Sequence, residues 1–81
     1  MKTYVVKIGE RTFESERWHL AWRQALRCIS FSFDWSQVHT ISEEEVERWN
    51  KVYNRLQCLR EGEGFLATLP DGKQLSMIEE A

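Results

Sequence analysis

The chain has 81 residues, 13 of them acidic and 11 basic, for a net charge of −2. That length sets one domain over residues 1–81 as the expectation, and so mild an acidity argues against a non-specific nucleic-acid binder, whose charge is strongly basic. No apolar run nears the ~18 residues of a membrane span, and Met1-Lys2-Thr3-Tyr4-Val5-Val6 lacks the apolar core of a signal peptide, so a cytoplasmic chain with free thiols at Cys28 and Cys58 is expected.

Residues 2–8 alternate and are rich in β-formers, with Tyr4, Val5, Val6 and Ile8. Gly9-Glu10 suits a two-residue turn with Gly first, so Arg11-Thr12-Phe13-Glu14 should return as the second strand of a hairpin. Ser15 is the expected N-cap of a helix that starts near Glu16 and ends at Cys28 or Ile29. Its apolar stripe is Trp18, Ala21, Trp22, Ala25 and Ile29, at the i, i+3, i+4, i+7 spacing that requires one buried face. His19, Arg23 and Arg27 run along the far side, with Leu20 among them and Arg17 beside them.

Phe31-Ser32-Phe33-Asp34-Trp35 alternates aromatic and polar residues, as a strand or as a loop folded onto the core. A strand signal follows at roughly 37–41. Ser42-Glu43-Glu44-Glu45 then carries a capping box and sets three carboxylates at the positive end of a helix dipole. This second helix should reach Gln57 or Leu59, burying Val46, Trp49, Val52, Tyr53 and Leu56. Glu44 with Arg48 and Glu47 with Lys51 are i,i+4 pairs in the favourable order. Glu61-Gly62-Glu63-Gly64 breaks the helix. Pro70-Asp71-Gly72 joins two apolar runs, 65–69 and 73–78, as a hairpin, and 79–81 read as a frayed tail.

The predicted order is ββαβαββ: a small two-layer α+β domain, with a mainly antiparallel sheet and both amphipathic helices on one face. The core of so small a chain must be efficient, since only roughly 60–65% of its unfolded surface is removed from water on folding. Trp18, Trp22, Trp49, Tyr53, Phe65 and Phe13 are expected to supply much of it.

Chemistry-bearing patterns are sparse. Cys28, Cys58, His19 and His39 show none of the close spacings that anchor zinc, so no metal is expected. There is no nucleophile elbow and no phosphate-cradling loop, and capping accounts for the carboxylates at 43–45. No catalytic residue and no cofactor are therefore expected, and the chain reads as a non-enzyme. The basic face of the first helix remains. Solvation alone explains such a face on most helices. Here, however, Leu20 sits among His19, Arg23, Arg27 and Arg17, the anchor-and-rim arrangement of interfaces. These five residues are the candidate partner-binding set.

In size, acidity and aromatic content the chain resembles the small accessory proteins of phages and mobile elements, anti-CRISPR proteins among them, a likeness attached to no motif. It implies an inhibitor that occludes or modulates a larger protein or nucleoprotein complex. Two alternatives stand beside it: a small nucleic-acid binder that uses the basic face of the first helix with exposed Phe31, Phe33 and Trp35, and a homodimeric structural or assembly protein formed through an open sheet edge. No membrane partner is expected.

Overall fold

A computed structural model describes residues 2–32, 36 and 40–80. Four strands form one antiparallel sheet: β1 (Thr3–Ile8), β2 (Arg11–Ser15), β3 (Phe65–Thr68) and β4 (Gln74–Glu80), in the spatial order β2-β1-β4-β3. Two helices, α1 (Trp18–Ser32) and α2 (Glu43–Gln57), fall between the two hairpins in the chain. The class is α+β, as the patterning predicts. The order among the described residues is ββααββ. Of the strand expected at 37–41, residues 37–39 lie outside the described residues, and Thr40 and Ile41 are a turn and a bend.

Both hairpins follow from their turn residues. Ile8 pairs with Arg11 across Gly9-Glu10, and Gly9 has φ of 55° while Glu10 has a negative φ. That is the II′ geometry whose twist matches the flanking strands. At the other hairpin the Leu69 carbonyl accepts from Gly72 N–H at 2.9 Å, and Gly72 takes φ of 91°. Pro70 therefore presets the first turn position, and Gly72 forms the left-handed bulge that returns the chain. The Asp71 carboxylate accepts from Lys73 N–H at 2.9 Å and tightens the loop. β4 outlasts its expected end. Glu79 and Glu80 pair with Tyr4 and Thr3, and Lys2 meets Glu79 at 3.4 Å, so the tail is strand up to Glu80.

The start of α1 is displaced from the expected one. Ser15 stays in β2 opposite Tyr4, and the first helical bond runs from Ala21 N–H to the Arg17 carbonyl at 3.3 Å. Ser15 still does local work, because its Oγ accepts from Arg17 N–H at 3.2 Å. Glu16 is thus outside the helix, and the first turn of α1 holds no acid. At its other end α1 runs through Phe31 to Ser32, whose hydroxyl donates to the Cys28 carbonyl at 2.7 Å. α2 begins as predicted: Ser42 is the N-cap, and its Oγ accepts from Glu45 N–H at 3.3 Å. Glu44 and Arg48 close their pair at 3.1 Å, whereas Glu47 and Lys51 form none.

α1 packs against β1, β2 and β4, and α2 packs against α1. Val6, Ile8, Phe65, Leu75 and Met77 meet Trp18, Ala21, Ala25 and Ile29 of α1 and Trp49 and Leu56 of α2 in one buried cluster. Two indoles also bond across the elements. Trp22 Nε1 donates to the Leu56 carbonyl at 2.8 Å, serving the last turn of α2, where carbonyls lack helical partners. Trp18 Nε1 donates to the Glu63 carbonyl at 2.9 Å and ties down the loop before β3. Their rings stack at 5.8 Å, only 12° from parallel.

Candidate functional site

The outward face of α1 is set by helical geometry. Leu20, Gln24, Arg27 and Phe31 recur at i, i+4, i+7 and i+11, with Arg23 alongside, so all five lie on one side of the cylinder. Two of them are apolar and wet: Leu20 is 53% exposed and Phe31 is 84% exposed. Isolated exposed apolar residues are ordinary. Two on one stripe, about 16 Å apart along the axis at 1.5 Å per residue, need more explanation.

This face forms one wall of two adjoining clefts. In the first, of about 520 Å³, Leu20, Arg23 and Arg27 stand across from Phe13, Glu14 and Ser15 of β2. In the second, of about 750 Å³, Phe31 and Cys28 face Arg11 of β2, with Gly9 and Lys73 at the turn end. Phe13 and Gln24 border both, so the clefts are consecutive stretches of one groove between α1 and β2. Leu20 lies near Ser15 and Phe31 near Arg11, so helix and strand run antiparallel along it. Among the described residues the groove carries Arg11, Arg23, Arg27 and Lys73 against Glu10 and Glu14, a cationic balance.

Three of the five predicted site residues, Leu20, Arg23 and Arg27, are thus brought together. His19 is set apart, about 100° around the helix from Leu20. Its Nε2 lies 3.7 Å from a Glu61 carboxylate oxygen, and its ring stands edge-on to Trp18 at 5.4 Å. Arg17 is exposed and precedes the helix rather than belonging to its face. Gln24, Arg11 and Lys73 join the site without having been expected in it, and Phe31, expected only in the nucleic-acid alternative, joins the same face. The signal for Phe31 was present, since it continues the Leu20 stripe one turn past Arg27. The aromatic-polar alternation from Phe31 onward masked it by suggesting a strand. Phe33 and Trp35 lie outside the described residues.

The thiols divide. Cys28 is buried at the floor of the groove, and Cys58 is exposed just after α2. Burial pushes the Cys28 thiol above its ordinary value, more than a hydrogen bond with Gln24 and the charge of Arg11 lower it. A thiol held protonated is a poor nucleophile. Among the described residues no group of three or more His, Cys, Asp or Glu side chains is placed to hold a metal ion, and no helix is long and apolar enough to cross a membrane. His39, named above among the possible ligands, lies outside the described residues. Comparison with known families, curated proteins and solved structures gives no match for the chain.

Proposed function

We propose that the chain is a non-catalytic protein-binding module that presents the outward face of α1 to a larger protein or nucleoprotein complex and acts by occluding or modulating it. The observation that carries this reading is the exposure of Leu20 and Phe31 on one helical stripe with Arg23 and Arg27, bordering a groove. Apolar anchors ringed by cations fit an acidic surface that has apolar recesses. Both helices cover one sheet face in this reading, as a two-layer domain. The indole bonds from Trp18 and Trp22 support it, because a face held rigid loses little conformational entropy on binding. In kind, this is the action of a small inhibitor carried by a phage or mobile element.

The test is affinity capture from the native host with the wild-type chain and the Arg23→Glu, Arg27→Glu double variant, followed by mass spectrometry. A specific protein retained by the first and lost from the second, with equal far-UV circular dichroism, is the expected result. Equal retention by both removes α1 from the interface.

One observation favours a second reading. Phe31 is an exposed aromatic beside Arg27 and Arg11, a pairing on which a single-stranded base stacks. Phosphate-driven binding weakens steeply with salt, so a mobility-shift titration that detects no complex at low salt eliminates it.

A further inference from the structure

We infer that the groove between α1 and β2 accepts an extended acidic peptide segment of the partner, added antiparallel or parallel as a fifth strand on the outer edge of β2. The inference rests on the protein-binding reading above and gives it a mode.

β2 is an edge strand, and among the described residues nothing pairs with its outer side. Its register says which groups are free. The two-residue turn makes Ile8 and Arg11 a hydrogen-bonded pair, so alternation along the ladder directs the backbone of Arg11, Phe13 and Ser15 toward β1. The N–H and C=O of Thr12 and Glu14 then point outward, two donors and two acceptors for an added strand. The pleat places Phe13 on the α1 side and the side chains of Thr12 and Glu14 on the opposite side. Both residues nevertheless border the first cleft with Leu20 and Arg23, although their side chains lie on the face away from α1. The groove therefore opens over the free edge rather than under the helix.

The dimensions agree. The five residues of β2 extend about 17 Å at 3.4 Å each, and Leu20 to Phe31 covers a similar length of the helix axis. An added strand would present every second side chain to α1. There it would meet Leu20 at one end, Phe31 and Arg11 at the other and the guanidinium groups of Arg23 and Arg27 between them. That sequence of contacts selects apolar end residues and acidic inner ones. The main chain supplies affinity and the alternate side chains supply selectivity, as in other strand-addition sites.

The probe is a set of eight-residue peptides, blocked at both ends, with Asp or Glu at alternate inner positions and Leu or Phe toward the ends. A matched set carries Lys in place of the acids. Binding to the full chain is read by fluorescence anisotropy, and backbone amide exchange is followed by NMR. Acidic peptides should bind at least about tenfold more tightly than their Lys counterparts, and exchange at Thr12 and Glu14 should slow about tenfold or more on binding. Glu14→Pro removes an outward donor while sparing the ladder to β1, and should weaken binding about tenfold. The exchange measurement on the unmodified chain stands if that variant misfolds. No binding by any acidic peptide, or binding that leaves Thr12 and Glu14 exchange unchanged, overturns strand addition. So does concentration-dependent protection of these amides without peptide, which would give the edge to a second copy of the chain. If strand addition fails but Arg23→Glu with Arg27→Glu still abolishes partner capture, the α1 interface survives without it.

Discussion

Trp22 shows how much one side chain can settle here. Its ring is half-buried, lies against Trp18, and carries a donor that ends on the Leu56 carbonyl of the other helix. Trp22→Phe keeps most of the apolar area and removes the N–H. The Leu56 carbonyl still accepts from Leu59 N–H at 3.3 Å, so it is not left bare. The expected loss is about 1 kcal/mol, the net worth of an ordinary hydrogen bond, measured as a lower midpoint in urea unfolding with an unchanged slope. Cys28 makes a second prediction at this scale. Its folded pKa is raised by burial, so the native state holds the thiol proton more tightly than the unfolded chain does. Below the ordinary thiol value of 9.0 both states are protonated and the full stability is present. Above it the unfolded chain ionises first, and stability falls until the pH passes the raised folded value. Unfolding free energies at pH 8 and pH 10 should therefore diverge more for the wild-type chain than for Cys28→Ala. Equal pH dependence in the two would contradict the assignment.

Elements were legible where local chemistry alone decides them. Gly9 and Gly72 occupy positions that require positive φ, so both hairpins could be placed from the sequence. Ser42 followed by three glutamates marked the start of α2, where no strand competes for the serine. Ser15 is a cap residue by type but has Trp18 where Ser42 has a glutamate at N3, and it lies within reach of Tyr4 across the sheet, where the ladder to β1 claims it. Long-range pairing overrode a cap preference worth about 1 kcal/mol. The end of α1 was illegible for a related reason. Aromatic-polar alternation is a strand signal only if the chain leaves the helix, and α1 instead runs on to Ser32, whose hydroxyl bonds the Cys28 carbonyl. The site inherited that error: Leu20, Arg23 and Arg27 were readable from helical spacing, and Phe31 was not. The groove's second wall was unreadable for another reason, since it depends on which strand becomes an edge, and no local pattern encodes strand order. Ser42 provides the test at this scale. Ser42→Ala strips the acceptor from Glu45 N–H and should cost about 1 kcal/mol, lowering Tm by about 4–8 °C for a chain of this size. A change under about 1 °C in calorimetry would mean that the carboxylates in the first turn hold the helix start without the cap.

Across the whole molecule, charge and apolar area are separated in a way that should divide the kinetics of binding. The chain is acidic in sum, yet among the described residues the groove between α1 and β2 is lined by Arg11, Arg23, Arg27 and Lys73 against the two carboxylates of Glu10 and Glu14. On the proposed binding role, a cationic strip on an acidic body would orient the molecule toward an acidic partner before contact. Such steering acts over about 8–10 Å at ordinary ionic strength and weakens as salt is added. Leu20 and Phe31 contribute nothing at that range and act only once water is excluded. Reversing Arg23 and Arg27 to Glu should therefore slow association most, and should flatten or reverse its dependence on salt. Leu20→Ala should leave association within about a factor of three and speed dissociation about tenfold or more, since most effects of interface anchors appear in the dissociation rate. Surface plasmon resonance at 50 and 300 mM salt against the captured partner separates the two. If Leu20→Ala and the arginine reversals change the same rate constant to the same degree, steering and anchoring are not distinct, and the face binds through a single cluster in which neither charge nor apolar area has a role of its own.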